Sequence, residues 1–160
     1  MIQEEHSVIK VLAYYRDPGV IERINSQFRK LWIDVIWFYA ISKEKDLYEF
    51  YIAIPKNHKN KEILLRNLSK TVDVEYVELI EKYKVYIFFY GKLRDKNARS
   101  PLIIELSNNN FTEEQVGGVI EGEKFFSNIH KIKDLFQEVT FFPLIIPEEK
   151  IRMSWGEVIG

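Results

Sequence analysis

The chain has 160 residues, 46% of them hydrophobic, with 23 basic and 24 acidic side chains mixed along it for a net charge of −1. That size and apolar share suit one domain or two small ones with a real core. The balanced charge leaves no electrostatic footprint for nucleic acid or an anionic membrane, and the absence of cysteine excludes disulfides, thiolate metal sites and a cysteine nucleophile.

The apolar run from Val8 to Tyr15 reads as a strand and stops at Arg16-Asp17-Pro18-Gly19. Val20, Ile21, Ile24, Phe28 and Leu31 then recur at helical spacing, with Glu22, Arg23, Gln27 and Lys30 on the other side. Asp17 suits the N-cap because its carboxylate can accept from the first-turn amides, and Pro18 suits the first helical position, where no N–H is missed. Gly19 lets a ligand or another chain approach the backbone. Two readings of this turn stand together: an ordinary capped helix start, and a site where free amides hold a small anion.

Val35 to Ile41 and Leu47 to Ile54, joined by the charged Ser42 to Asp46, read as a hairpin. Pro55 ends it, Ile63, Leu64, Leu65, Leu68 and Val72 mark a second helix, and Val74 to Ile80 alternates as a strand. The order βαββαβ predicts a ferredoxin-like unit over residues 1–80, two helices on one face of a four-stranded antiparallel sheet.

A new strand is expected from Tyr83 to Tyr90, followed by Gly91 to Ser100, too short for a full helix with its turns. Pro101 to Leu106 reads as a strand, Asn108 to Asn110 as a turn and Gln115 to Ile120 as a hairpin partner. Phe125, Ile129, Ile132 and Phe136 mark one helix, and Val139 to Ile146 a last strand interrupted by Pro143. Pro147 to Gly160 is a tail whose Met153, Trp155 and Val158 suit docking. The fold class expected is therefore α+β with two ferredoxin-like units, the second, residues 81–160, lacking its first helix.

No group of residues has the make-up of an active site. His6, His58 and His130 stand alone, so no metal site or oriented base is expected, and Gly117-Gly118 and Gly122 lack the Lys-Ser/Thr of a phosphate loop. The pairs Glu4-Glu5, Glu113-Glu114 and Glu148-Glu149 read as solvated charge. No apolar run reaches membrane-span length and the first residues carry no basic stretch before an apolar core, so a cytoplasmic protein is expected.

The turn Asp17-Pro18-Gly19-Val20-Ile21, with Ile24 and Phe28 after it, resembles the ACT domain. Leu68-Ser69-Lys70-Thr71-Val72-Asp73-Val74 brings the resemblance closer to the ACT domain of the regulatory small subunit of acetolactate (acetohydroxyacid) synthase. It covers roughly residues 6 to 80, and it implies an ACT domain over 1–80 followed by a second domain. It further implies a non-catalytic subunit that activates the catalytic large subunit of acetohydroxyacid synthase. Thiamin diphosphate, metal and flavin would belong to that partner, and no cofactor to this chain. Feedback inhibition by a branched-chain amino acid is implied as well.

By position, the resemblance carries Arg16, Asp17, Pro18, Gly19, Val20 and Ile21 of one subunit and Asp34 of another into the effector site. The family prefers asparagine at the places of Arg16 and Asp34 and glycine near Trp32. Arg16 can pair with a carboxylate or stay a solvated turn charge, Trp32 fills space a glycine leaves open, and Asp34 repels a ligand carboxylate while attracting its ammonium group. Trp37, Tyr39, Tyr48 and Phe50 give the sheet more aromatic surface than two helices can cover, so a homodimer or larger assembly is expected. The alternative is a free-standing ACT-type amino-acid sensor controlling another enzyme or regulator. A small enzyme on the same scaffold lacks an acid, base or nucleophile with a partner.

Overall fold

Residues 6–95, 109–110 and 115–154 are described by the computed structural model. They fall into two compact units, one built from residues 6–82 with 147–154 and the other from residues 83–146.

In the first unit, β1 (His6–Tyr14) leads into α1 (Gly19–Lys30), the hairpin β2 (Trp37–Glu44) and β3 (Leu47–Pro55), α2 (Lys61–Ser69) and the start of β4 (Val74–Leu93). The strands lie in the order β2-β3-β1-β4, and every neighbouring pair is antiparallel. This is the ferredoxin-like order expected from βαββαβ. Because side chains alternate across a strand, Ile9, Val11 and Ala13 of β1, Phe50, Ile52 and Ile54 of β3 and Val77 and Leu79 of β4 share one face. The helices cover that face with Val20, Ile24 and Phe28, four residues apart on α1, and Leu64, Leu65 and Leu68 of α2. Each such burial contributes about 1.5–3 kcal/mol before the entropy of ordering is counted.

Phe50 lies in this core and Tyr48 packs against it, whereas Trp37, Tyr39 and Tyr51 stack on the opposite face with ring centroids 5.4 and 5.0 Å apart. The aromatic excess on the sheet is thus smaller than the four aromatics named from the sequence suggest.

The second unit takes residues 83–93 of β4, which pair antiparallel with β6 (Gln115–Glu121), itself paired with the short β5 (Asn109–Asn110). Then come α3 (Gly122–Ser127), α4 (Ile129–Leu135) and β7 (Phe136–Ser154). Ile87, Phe89, Val116, Phe125, Ile132 and Phe136 form its core.

Four features differ from the sequence reading. No break separates a strand ending at Ile80 from one starting at Tyr83, because Glu81 and Lys82 find partners along the strand: Glu81 accepts from Ser7 Oγ at 2.9 Å and Lys61 Nζ at 2.6 Å, and Lys82 pairs with Glu149 at 3.3 Å. The helix expected through Phe136 is two short ones, since Asn128 turns out of helical geometry and its Nδ2 donates to Lys124 O at 2.8 Å, ending α3. Phe136 instead begins β7, which runs on through Pro143 and Pro147. Among the described residues β7 pairs only with β4, and on an edge strand a missing N–H can face outward. The tail is thus strand as far as Ser154. The expected strand over 101–106 lies outside the described residues.

Candidate functional site

The turn after β1 is built by local chemistry. Asp17 Oδ1 accepts from Gly19 N at 2.7 Å, while Pro18 has helical dihedrals, φ −61° and ψ −18°. The Val20 and Ile21 amides point back at the Asp17 and Pro18 carbonyls, each at 3.3 Å. The three amides of residues 19–21 therefore have partners within the turn, and a ligand carboxylate reaches the Gly19 amide only by displacing the Asp17 side chain. A Cβ at Gly19 would lie 2.6 Å from Asp17 Oδ1 and 2.8 Å from Arg23 Nη1, so the space above this glycine is taken by its own neighbours.

A second loop meets the turn. Asp73, just before β4, has φ 71°, a left-handed conformation that aspartate tolerates, and its carbonyl accepts from Tyr14 N at 2.8 Å. Its carboxylate, only 11% exposed, accepts from Arg16 Nη1 at 3.3 Å and Arg23 Nη2 at 3.0 Å. Arg23 Nη1 also lies 3.6 Å from Asp17 Oδ1. Arg16 is thus neither free nor merely solvated: two arginines and two aspartates cancel around the turn, leaving the helix dipole as the unbalanced attraction for an anion. Arg23 and Asp73 are members that the sequence did not assign to the site. Arg23 sits one turn into α1, where a long side chain leans back over the helix start, the one hint its position offered.

Asp34, the remaining residue of the expected effector site, lies beyond the far end of α1. The Leu31 to Ile33 exit is a Schellman motif: Trp32 N donates to Arg29 O at 3.2 Å and Ile33 N to Phe28 O at 3.0 Å, with Phe28 and Ile33 buried beneath. The residue at its left-handed position, usually glycine, is Trp32 at φ 55°, and its side chain is 89% exposed. Asp34, Val35 and Ile36 follow, all exposed. Twelve residues of α1 hold Asp34 about 18 Å from the Asp17 turn, so no small pocket in one chain unites them.

A second polar cluster lies on the sheet face away from the helices. Burial pushes the Glu49 carboxyl up, but hydrogen bonds from Lys43 Nζ and Tyr51 Oη and the charge of Lys10 outweigh it and hold the group below the ordinary glutamate range. Burial and the Glu49 charge push the Tyr39 hydroxyl up to about 12.

Among the described residues no group of three or more His, Asp and Glu could hold a metal, and no helix is long and apolar enough to cross a membrane.

The chain is α+β, and its first unit is ferredoxin-like, with a helix-start turn at one end of α1 and an exposed exit at the other. No family model matches the sequence, and no curated relative matches it either. Among solved structures, the acetolactate synthase small subunit from Thermotoga maritima matches with a TM-score of 0.69 at 13% identity, over 91% of this chain and 99% of that one. The ligand-free regulatory subunit of aspartate kinase from Thermus thermophilus matches more loosely, with a TM-score of 0.42 at 10% identity over 84% of this chain and 95% of that one. The resemblance read from residues 17–28 and 68–74 is borne out at the level of fold.

Proposed function

We propose that this chain is a non-catalytic regulatory subunit that activates a thiamin diphosphate-dependent acetohydroxyacid synthase. The observation that carries the reading is the shared fold with an acetolactate synthase small subunit over 91% of this chain and 99% of that chain.

In this reading two chains associate side by side, and the turn Arg16 to Ile21 of one faces Asp34 of the other across an effector region for a branched-chain amino acid. The length of α1 supports that division, since only a second copy can bring both halves together. The effector's ammonium group faces Asp34 and its carboxylate competes with Asp17 for the Gly19 amide. Both aspartates oppose a carboxylate, so wild-type affinity is low.

Calorimetric titration of valine, leucine and isoleucine into wild type and Asp34→Asn tests this arrangement. Removing a negative charge about 5 Å from a carboxylate in a wet interface relieves on the order of 1 kcal/mol, so Asp34→Asn should bind several-fold to tenfold more tightly. Absence of binding in both proteins removes the effector role and leaves activation to be judged on its own.

A further inference from the structure

On the first unit's sheet face away from the helices, charge alternates from strand to strand. Lys43 of β2 lies 2.7 Å from Glu49 of β3, Glu49 lies 3.6 Å from Lys10 of β1, and Lys10 lies 3.8 Å from Glu78 of β4. Arg152 of β7 closes the row: its Nε and Nη2 donate to Glu78 Oε1 at 3.0 and 2.7 Å, and its guanidinium sits 4.0 Å from the centre of the Tyr76 ring. Lys150 Nζ lies 3.7 Å from Glu78 Oε2.

Residues 147–152 are exposed along their whole length, so this stretch adds no side chain to the core. What holds it beside β4 is backbone pairing and charge: the Glu78 contacts, and a Lys82–Glu149 pair exposed at both ends. Glu78 itself is only 1% exposed, and its Oε2 makes no hydrogen bond among the described residues, only the longer ion pairs to Lys10 and Lys150. A strand held this way is weakly fixed, because half-exposed cations are screened by salt whereas an apolar contact is not.

We propose that residues 147–154 form a releasable edge strand over β4, clasped by Glu78, and that the uncovered edge accepts an extended partner segment with basic residues two positions apart. The chemistry of that partner is written in the segment now seated there: Lys150 and Arg152 project to the same side, as residues i and i+2 of a strand do, and both reach one buried carboxylate. Main-chain pairing along the edge supplies affinity, and Glu78 supplies the choice of a cationic strand. This inference does not depend on which enzyme the chain regulates.

Amide hydrogen exchange on the full chain, at about 0.05 and 0.5 M salt and in Arg152→Gln at low salt, tests the release. Exchange over 147–154 should quicken by about tenfold with salt or with the substitution, while β1 and β3 change less than about twofold, which also reports an intact fold. A labelled peptide spanning residues 147–154 should then bind Arg152→Gln better than wild type, and lose binding when its own Lys150 and Arg152 are both glutamine. Exchange of 147–154 in step with β1 and β3 overturns the release. A peptide that fails to bind, or binds equally without its basic residues, overturns the docking edge.

Discussion

Trp32 carries two costs, a bulky side chain at φ 55° and an 89% exposed indole-bearing surface, and neither benefits the isolated chain. Replacing it by glycine removes left-handed strain of about 1–3 kcal/mol and adds about 0.5–1 kcal/mol of unfolded-state entropy. Trp32→Gly should therefore raise the melting temperature by a few degrees, and an unchanged or lower value removes the strain argument. Gly19 answers differently. Its substitution by valine drives Asp17 and Arg23 apart and breaks the hydrogen bond from the Gly19 amide to Asp17 Oδ1, a loss of about 1 kcal/mol rather than a silent change, readable in a urea titration. Sequence reasoning found the helix start at Asp17, Pro18 and Gly19 because that chemistry is local, but one residue early: Pro18 rather than Asp17 is the N-cap, and the helix begins at Gly19. It left Arg23 on a solvated face and Asp73 as a mere signature, since their meeting, fifty positions apart in the chain, depends on the long-range pairing of β1 with β4.

At the scale of elements, hydrophobic periodicity exposed the first unit's strands and helices, because each buries one side. Periodicity says little about where a strand stops when its polar residues find partners, which is why β4 runs unbroken past Glu81 and Lys82. The tail beyond Pro147 was legible only as capable of docking, as its residues 147–152 are all exposed. The Glu49 cluster was invisible for a different reason: Lys43, Glu49 and Lys10 come from three strands, and only the pairing of those strands brings them together. Its consequence is a pH dependence of stability. A carboxyl held below its unfolded value, about 4.3 for glutamate, contributes stability above that value and loses it as pH falls through the folded one. Urea midpoints measured from pH 6 down to 3 should fall less steeply for Glu49→Gln than for wild type. Parallel curves would show that Glu49 is not held low.

For the whole molecule, the sequence pointed to an α+β chain with a ferredoxin-like first unit, and the fold shared with the Thermotoga maritima acetolactate synthase small subunit agrees with that without naming a partner. Among the described residues the chain presents an exposed exit from α1, an edge of β2 that pairs with no strand but β3, and a β4 edge closed by backbone pairing and charge. The direct measurement of the central claim is the rate of acetolactate formation by the cognate thiamin diphosphate-dependent catalytic chain, with and without a saturating amount of this protein. The account predicts no activity for this protein by itself and at least a several-fold rise in rate when the two are combined. An unchanged rate, with no binding between the chains in the same buffer, contradicts it.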